Sequence, residues 1–169
     1  FGVLQKLLAD NPIGRIVSIE RRVLFDYTEW LAHYPAAEYR PEWRMEQAFG
    51  GGQLYDWAPH FFDQLLRIAG SAPDRIFCAL RSVKWSKEVD DYAKLIAEWD
   101  DGRLAELEVT SFAAQVVPSL YILGTEGAIT QERFWSPFEV TRANGDAEET
   151  IINVEHQWQT IHNTVAAKI

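Results

Sequence analysis

Residues Gly50 to Gly70 read GGGQLYDWAPHFFDQLLRIAG, three glycines running straight into a long segment with helical hydrophobic spacing. Leu54, Trp57, Phe61, Leu65 and Ile68 recur three or four residues apart, which makes one apolar stripe suited to packing on a core. Asp56, His60, Asp63 and Arg67 recur at the same interval on another side. Residues three and four apart are neighbours on a helix surface, so the spacing predicts His60 flanked by the carboxylates of Asp56 and Asp63. Pro59 limits where the helix begins, because a proline costs little in the first turn and about 3 kcal/mol or more further in. That places Asp56 at or near the N-cap and His60 in the first turn. By themselves a histidine and two aspartates on a polar helix face are an ordinary solvated surface.

Upstream, Phe1 to Asp10 reads as a short helix with Val3, Leu4, Leu7 and Leu8 on one side and Asn11-Pro12 as its stop. A strand follows Gly14. Val17, Ile19, Val23 and Phe25 alternate with polar residues, so one face is buried and the other carries Ser18, Glu20 and Arg22. Thr28 to Arg40 has aromatics and turn residues without a period, and Trp43 and Arg44 stand just before the glycines, where a loop can line a pocket.

Downstream the pattern changes to strands: Arg75 to Trp85, Asp91 to Trp99, and Arg103 to Phe112 after the Asp101-Gly102 turn. Leu120 to Leu123 and Ala128 to Thr130 flank Gly124-Thr125-Glu126-Gly127, Phe134 to Arg142 and Thr150 to Val154 flank Asn144-Gly145, and His156 to Ile169 returns to a helix. Two or three helices and six to eight strands joined mostly by hairpins predict an α+β domain: an open, mixed but antiparallel-dominated sheet with helices on one face. The other face, expected to carry Trp85, Trp99, Phe112 and Trp135, is then a surface for a second copy, making a homo-oligomer.

With 169 residues, 47% of them hydrophobic, residues 1–169 are read as one domain with one core. The formal net charge of -9 and the lack of a Lys/Arg cluster argue against nucleic acid or an anionic membrane as partner. The single cysteine, Cys78, fits a reducing compartment such as the cytoplasm, and its apolar surroundings predict a buried, inert thiol. No run of about 18 apolar residues is present to span a bilayer. The chain starts at Phe1, and its end falls inside the last helical pattern, so a piece of a longer protein is expected. His33, His156 and His162 have no ligand spacing with one another, which argues against a metal site, and no serine stands in a G-x-S-x-G turn.

Taken in order, Trp43-Arg44, Gly50-Gly51-Gly52, Asp56-x-x-x-His60-x-x-Asp63, Asp90-Asp91-Tyr92-Ala93, Asp101-Gly102 and Gly124-Thr125-Glu126-Gly127 resemble the C-terminal domain of the Gfo/Idh/MocA oxidoreductases, relatives of glucose–fructose oxidoreductase and inositol dehydrogenase. The resemblance implies a two-domain parent whose N-terminal Rossmann domain binds NAD or NADP, and no G-x-G-x-x-G is found in this chain. It further implies a sugar or polyol substrate, a dimer or tetramer, His60 as the proton-transfer residue and Asp56 as its orienter or a substrate ligand. Arg44, Trp43 and Asp63 would be substrate-binding residues, and a lysine of the other domain would complete the site. The isolated domain is then expected to be inactive. The alternative is a non-catalytic scaffold or ligand sensor that keeps the fold. One departure is Trp57-Ala58-Pro59, where the family usually has a small and then an aliphatic residue between the aspartate and the histidine.

Overall fold

Strand β1 (Ile16–Leu24) sits at the centre of the sheet, and its alternation explains why. Ile19 and Val23 are buried on the face that receives the helices, while Ser18, Glu20 and Arg22 alternate onto the other. The computed structural model describes residues 2–28, 42–114, 117–134, 136–143 and 147–148. Helix α1 (Gly2–Ala9) precedes β1, and two short 3-10 turns (Glu42–Met45 and Gln47–Phe49) lead into helix α2 (Gln53–Ala69). Seven strands follow: β2 (Arg75–Arg81), β3 (Tyr92–Glu98), β4 (Leu104–Thr110), β5 (Leu120–Gly124), β6 (Gly127–Gln131), β7 (Glu139–Arg142) and the two-residue β8 (Ala147–Glu148).

The sheet order is β2-β3-β4-β1-β5-β6-β7-β8. β1 runs parallel to β4, in register from Ser18 opposite Leu104 to Leu24 opposite Thr110, and antiparallel to β5 with Ile19 opposite Ile122. Every other pairing is antiparallel. This is the expected α+β architecture, a mixed, antiparallel-dominated open sheet with its helices on one face. α2 lies across β4, β1 and β3, where Ala93, Ala97 and Ala105 keep the sheet surface low enough for Phe61, Leu65 and Ile68 to seat. Burying a side chain such as Leu65, with no exposure at all, contributes about 1.5–3 kcal/mol.

The opposite face is open, but its apolar residues are not those expected. Phe77, Ile96, Leu104 and Leu123 are exposed there, beside the Lys94–Glu106 ion pair at 2.8 Å. Trp99 continues the buried phase of β3, and its indole N–H donates to Ser71 O on the helix side. Trp85 leaves β2 altogether and donates to Ser111 O, with its ring 5.7 Å from Tyr27, and Phe112 is half-buried beyond the end of β4. Trp135 lies outside the described residues.

Two strands are shorter than their patterns suggested. β2 stops at Arg81 because the Asp91 carboxylate gathers the N–H groups of Val83, Lys84 and Trp85 into a loop. β7 starts at Glu139 because Gln131 Nε2 donates to both Phe134 O and Ser136 O, folding that segment into a turn. Cys78 is exposed on the edge strand β2, contrary to the buried thiol expected. Partial desolvation and then the charge of Asp90 push that thiol up, away from the reactive thiolate. The expected strand over Thr150 to Val154, the helix over His156 to Ile169, most of Thr28 to Arg40, and His33, His156 and His162 lie outside the described residues. Among the described residues no helix is long and apolar enough to cross a membrane.

Candidate functional site

Helix α2 begins at Gln53, one turn earlier than Pro59 suggested, because its first turn is held from a distance. Asp90 Oδ2 accepts the N–H of Leu54 at 2.8 Å, and Asp90 O accepts that of Gln53 at 3.0 Å. Gly52 is the N-cap with φ 116°, and a Cβ there would collide with Asp90 Oδ1. The carboxylate thus takes the place of a local capping side chain. Asp56 is therefore not the N-cap, and His60 stands in the second turn. Pro59 sits inside the helix, where it cannot donate to Tyr55 O. Both Tyr55 and Pro59 are exposed, so water can serve that carbonyl.

The first turn carries the Asp56 carboxylate. Arg44 Nε donates to Asp56 Oδ2 at 2.9 Å, with both side chains about three-quarters buried, and the Arg44 guanidinium lies 4.1 Å from the centre of the Trp43 ring. The glycines make this approach possible. Gly52 N donates to Arg44 O at 2.8 Å, and a Cβ on Gly51 would lie 2.5 Å from the same oxygen. Trp43 keeps 46% of its surface exposed beside the pair. Sequence spacing placed Trp43, Arg44 and Asp56 in separate segments, and the fold brings them together.

His60 is exposed one helical turn beyond Asp56. It is not held between two carboxylates: Asp56 is engaged by Arg44, and Asp63 by Arg67 at 2.8 Å in an exposed i,i+4 pair. The i,i+4 rule was right about proximity, but arginine gives a carboxylate a stronger, charge-assisted partner than a neutral imidazole. A concavity of about 400 Å³ lies beside the Gly50–Gly51 turn, lined by Gln47, Tyr55, Leu80, Arg81 and Glu88, and His60 is not among its walls. Among the described residues no three His, Cys, Asp or Glu side chains converge to hold a metal.

A family model described as the GFO/IDH/MocA C-terminal domain matches residues 1–130. The chain belongs to this family. Its fold is shared with an NAD-binding protein from Listeria innocua (TM-score 0.68, 24% identity, covering 88% of this chain and 41% of that one). Levoglucosan dehydrogenase in complex with NADH and levoglucosan has TM-score 0.66 and 21% identity, covering 88% of this chain and 42% of that one. An inositol dehydrogenase homolog complexed with NAD+ from Azotobacter vinelandii has TM-score 0.69 and 14% identity, covering 85% of this chain and 38% of that one. These identities show the fold, and the chain spans half the length or less of each of these relatives. No curated protein matches the chain.

Two features of this Gfo/Idh/MocA domain were not read from the sequence. Asp91 is fully buried and accepts the backbone N–H groups of Val83, Lys84 and Trp85 at 2.7, 2.6 and 2.7 Å. Ser86 Oγ then donates to Met45 O at 3.0 Å, fastening that loop to the turn that carries Arg44. Arg21 is buried on β1, and burial lowers its pKa to about 10. Its signal was present, since it shares the phase of Ile19 and Val23. Among the described residues, the start of α2 does not offer a free dinucleotide site. The N–H groups of Gln53 and Leu54 at the start of α2 are already taken by Asp90, and among the described residues no glycine-rich turn joins a strand directly to a helix.

Proposed function

We propose that this chain is the substrate-binding and oligomerisation domain of an NAD(P)-dependent oxidoreductase that acts on a CH–OH group of a sugar, polyol or related compound. The observation that carries this reading is the clamped pair Arg44–Asp56, one turn along α2 from the exposed imidazole of His60. His60 takes the proton of the substrate hydroxyl as the carbonyl forms, because imidazole titrates nearest to neutral pH of all side chains. Asp56, fixed by Arg44, accepts from a neighbouring hydroxyl. Arg44 donates to substrate oxygen, the exposed indole of Trp43 offers an apolar face, and Asp63 lies on the rim, three residues beyond His60. NAD or NADP supplies hydride chemistry and is held mainly by an N-terminal domain outside this chain, which the preoccupied start of α2 supports.

The open sheet face, with Phe77, Ile96, Leu104 and Leu123 exposed, is the surface through which two or more copies associate. The single cysteine and the acidic balance favour the cytoplasm as its compartment. The test is NAD(P)H formation by the full-length parent across a panel of sugars and polyols, wild type beside His60→Ala. Turnover at least two orders of magnitude lower in the variant is expected. An unchanged rate removes His60 from the mechanism, and absence of both turnover and cofactor binding in wild type supports a scaffold instead.

A further inference from the structure

Arg21 is 5% exposed, and among the described residues no carboxylate pairs with it. Its Nη1 donates to Ser119 O at 3.1 Å and to Gln131 Oε1 at 3.4 Å, and its Nε is buried without a partner. The guanidinium carbon lies 4.9 Å from the ring centre of Phe61 and 4.8 Å from that of Phe134, and the two rings are 5.0 Å apart. An isolated buried charge is costly, and a buried ionic group can often be replaced by an apolar one of similar volume without loss of stability. Core stability alone therefore does not explain an arginine at this place.

What the arginine joins is more informative. Phe61 stacks on Trp57 at 6.0 Å, and Trp57 meets Phe25 at 5.8 Å, so one run of rings passes from Phe25, just past β1, along the underside of α2 to Phe134. The two rings that α2 contributes are Trp57 and Phe61, the residues that directly follow Asp56 and His60. Gln131, the acceptor for Arg21, in turn donates to Phe134 O at 3.1 Å and Ser136 O at 3.0 Å. A planar cation with donors in its plane and two aromatic faces against it fixes both the ring run and the turn beneath it, which no apolar side chain does.

We infer that Arg21 is a positioning residue that sets the height and rotation of the first half of α2, and so aims Asp56 and His60. The inference rests on the assignment of those two residues above. A rotation of α2 about its axis moves the ring run and the site together, because each site residue is one position from a ring. A misplacement on the order of 1 Å costs about a hundredfold in rate in a catalytic site.

The experiment uses the full-length parent with Arg21→Met and Arg21→Lys. For R21M we expect a melting temperature at or above that of wild type, an unchanged cofactor KM, and a kcat at least tenfold lower. For R21K, which keeps the charge and loses the planar fork, we expect a folded protein with a kcat still several-fold below wild type. A folded R21M with wild-type kcat overturns the inference. If R21M does not fold, a folded R21K with full kcat overturns it. Should wild type itself turn over no substrate, the functional reading fails separately, and the Cε1–H resonance of His60, assigned with His60→Gln, still reads the inference. It should move in folded R21M or R21K, and an unmoved resonance overturns the inference.

Discussion

Asp90 Oδ2 accepts the backbone N–H of Leu54 at 2.8 Å across 36 residues of sequence, so the start of the helix that bears the candidate site is set by a strand-side loop. Asp90→Ala removes that cap. The loss should be about 1 kcal/mol, within the usual capping range of about 0.5–2, and about 2–4 °C in melting temperature. A thermal scan that shows no shift would remove Asp90 as the anchor of α2.

The same carboxyl gives a pH dependence of known sign. Burial pushes Asp90 above the ordinary aspartate range, outweighing the N–H groups of Leu54 and Gln53, and the charge of Asp91 adds to the rise. A raised folded pKa means that the folded state holds the proton more tightly. Its contribution is therefore fully present below the ordinary value and is lost as pH rises through the raised one. Urea denaturation of wild type and Asp90→Asn from about pH 3 to about pH 6 should show wild type losing stability relative to the variant as pH increases. A difference that runs the other way contradicts burial as the dominant cause.

Asp91 should be the less replaceable of the two. It is fully buried and serves three N–H donors, so Asp91→Ala leaves all three without an acceptor. A loss of about 3 kcal/mol or more is expected in the denaturant midpoint. Asp91→Asn should fall between, because whichever way the amide turns, its NH2 meets a backbone donor.

The Arg44–Asp56 pair is suited to a double-mutant cycle with Arg44→Ala and Asp56→Ala. The side chains are 26% and 22% exposed, so a coupling of about 0.5–1 kcal/mol in stability is expected. His60→Ala, at an exposed position, should stay within about 0.5 kcal/mol of wild type. A large stability loss there would mean that any drop in turnover says nothing about chemistry.

Phe77 faces Ile96 across β2 and β3, and both side chains are exposed. Phe77→Glu together with Ile96→Glu should lower the oligomeric mass measured by light scattering while leaving the circular dichroism spectrum unchanged. An oligomer that survives both charges must associate by another surface.

The hairpins were legible because strand alternation and turn glycines are local signals. β3 and β4 emerged on either side of Asp101-Gly102, and β5 and β6 on either side of Gly124 to Gly127, close to their observed ends. The start of α2 was not legible, because its cap comes from Asp90 and a local rule about Pro59 pointed one turn too far along. The geometry of the candidate site was half legible. Spacing put Asp56, His60 and Asp63 on one helix, but it could not say that Arg44 and Arg67 would claim the two carboxylates. Arg21 and Trp99 were readable in principle, since both continue a buried phase. Trp99, expected on the open face, is buried with that phase instead.

The position of β1 has a consequence for synthesis. It is the first strand of this sheet to leave the ribosome, yet its neighbours in the sheet begin at Leu104 and Leu120. At the usual pace of translation, Ser18 waits on the order of ten seconds before Leu104 exists to pair with it. The hairpins on either side can close as they emerge, so the central strand is inserted between two preformed flanks. Until then Ile19 and Val23 travel as exposed hydrophobic chain, the interval in which a nascent protein of this topology most depends on a chaperone.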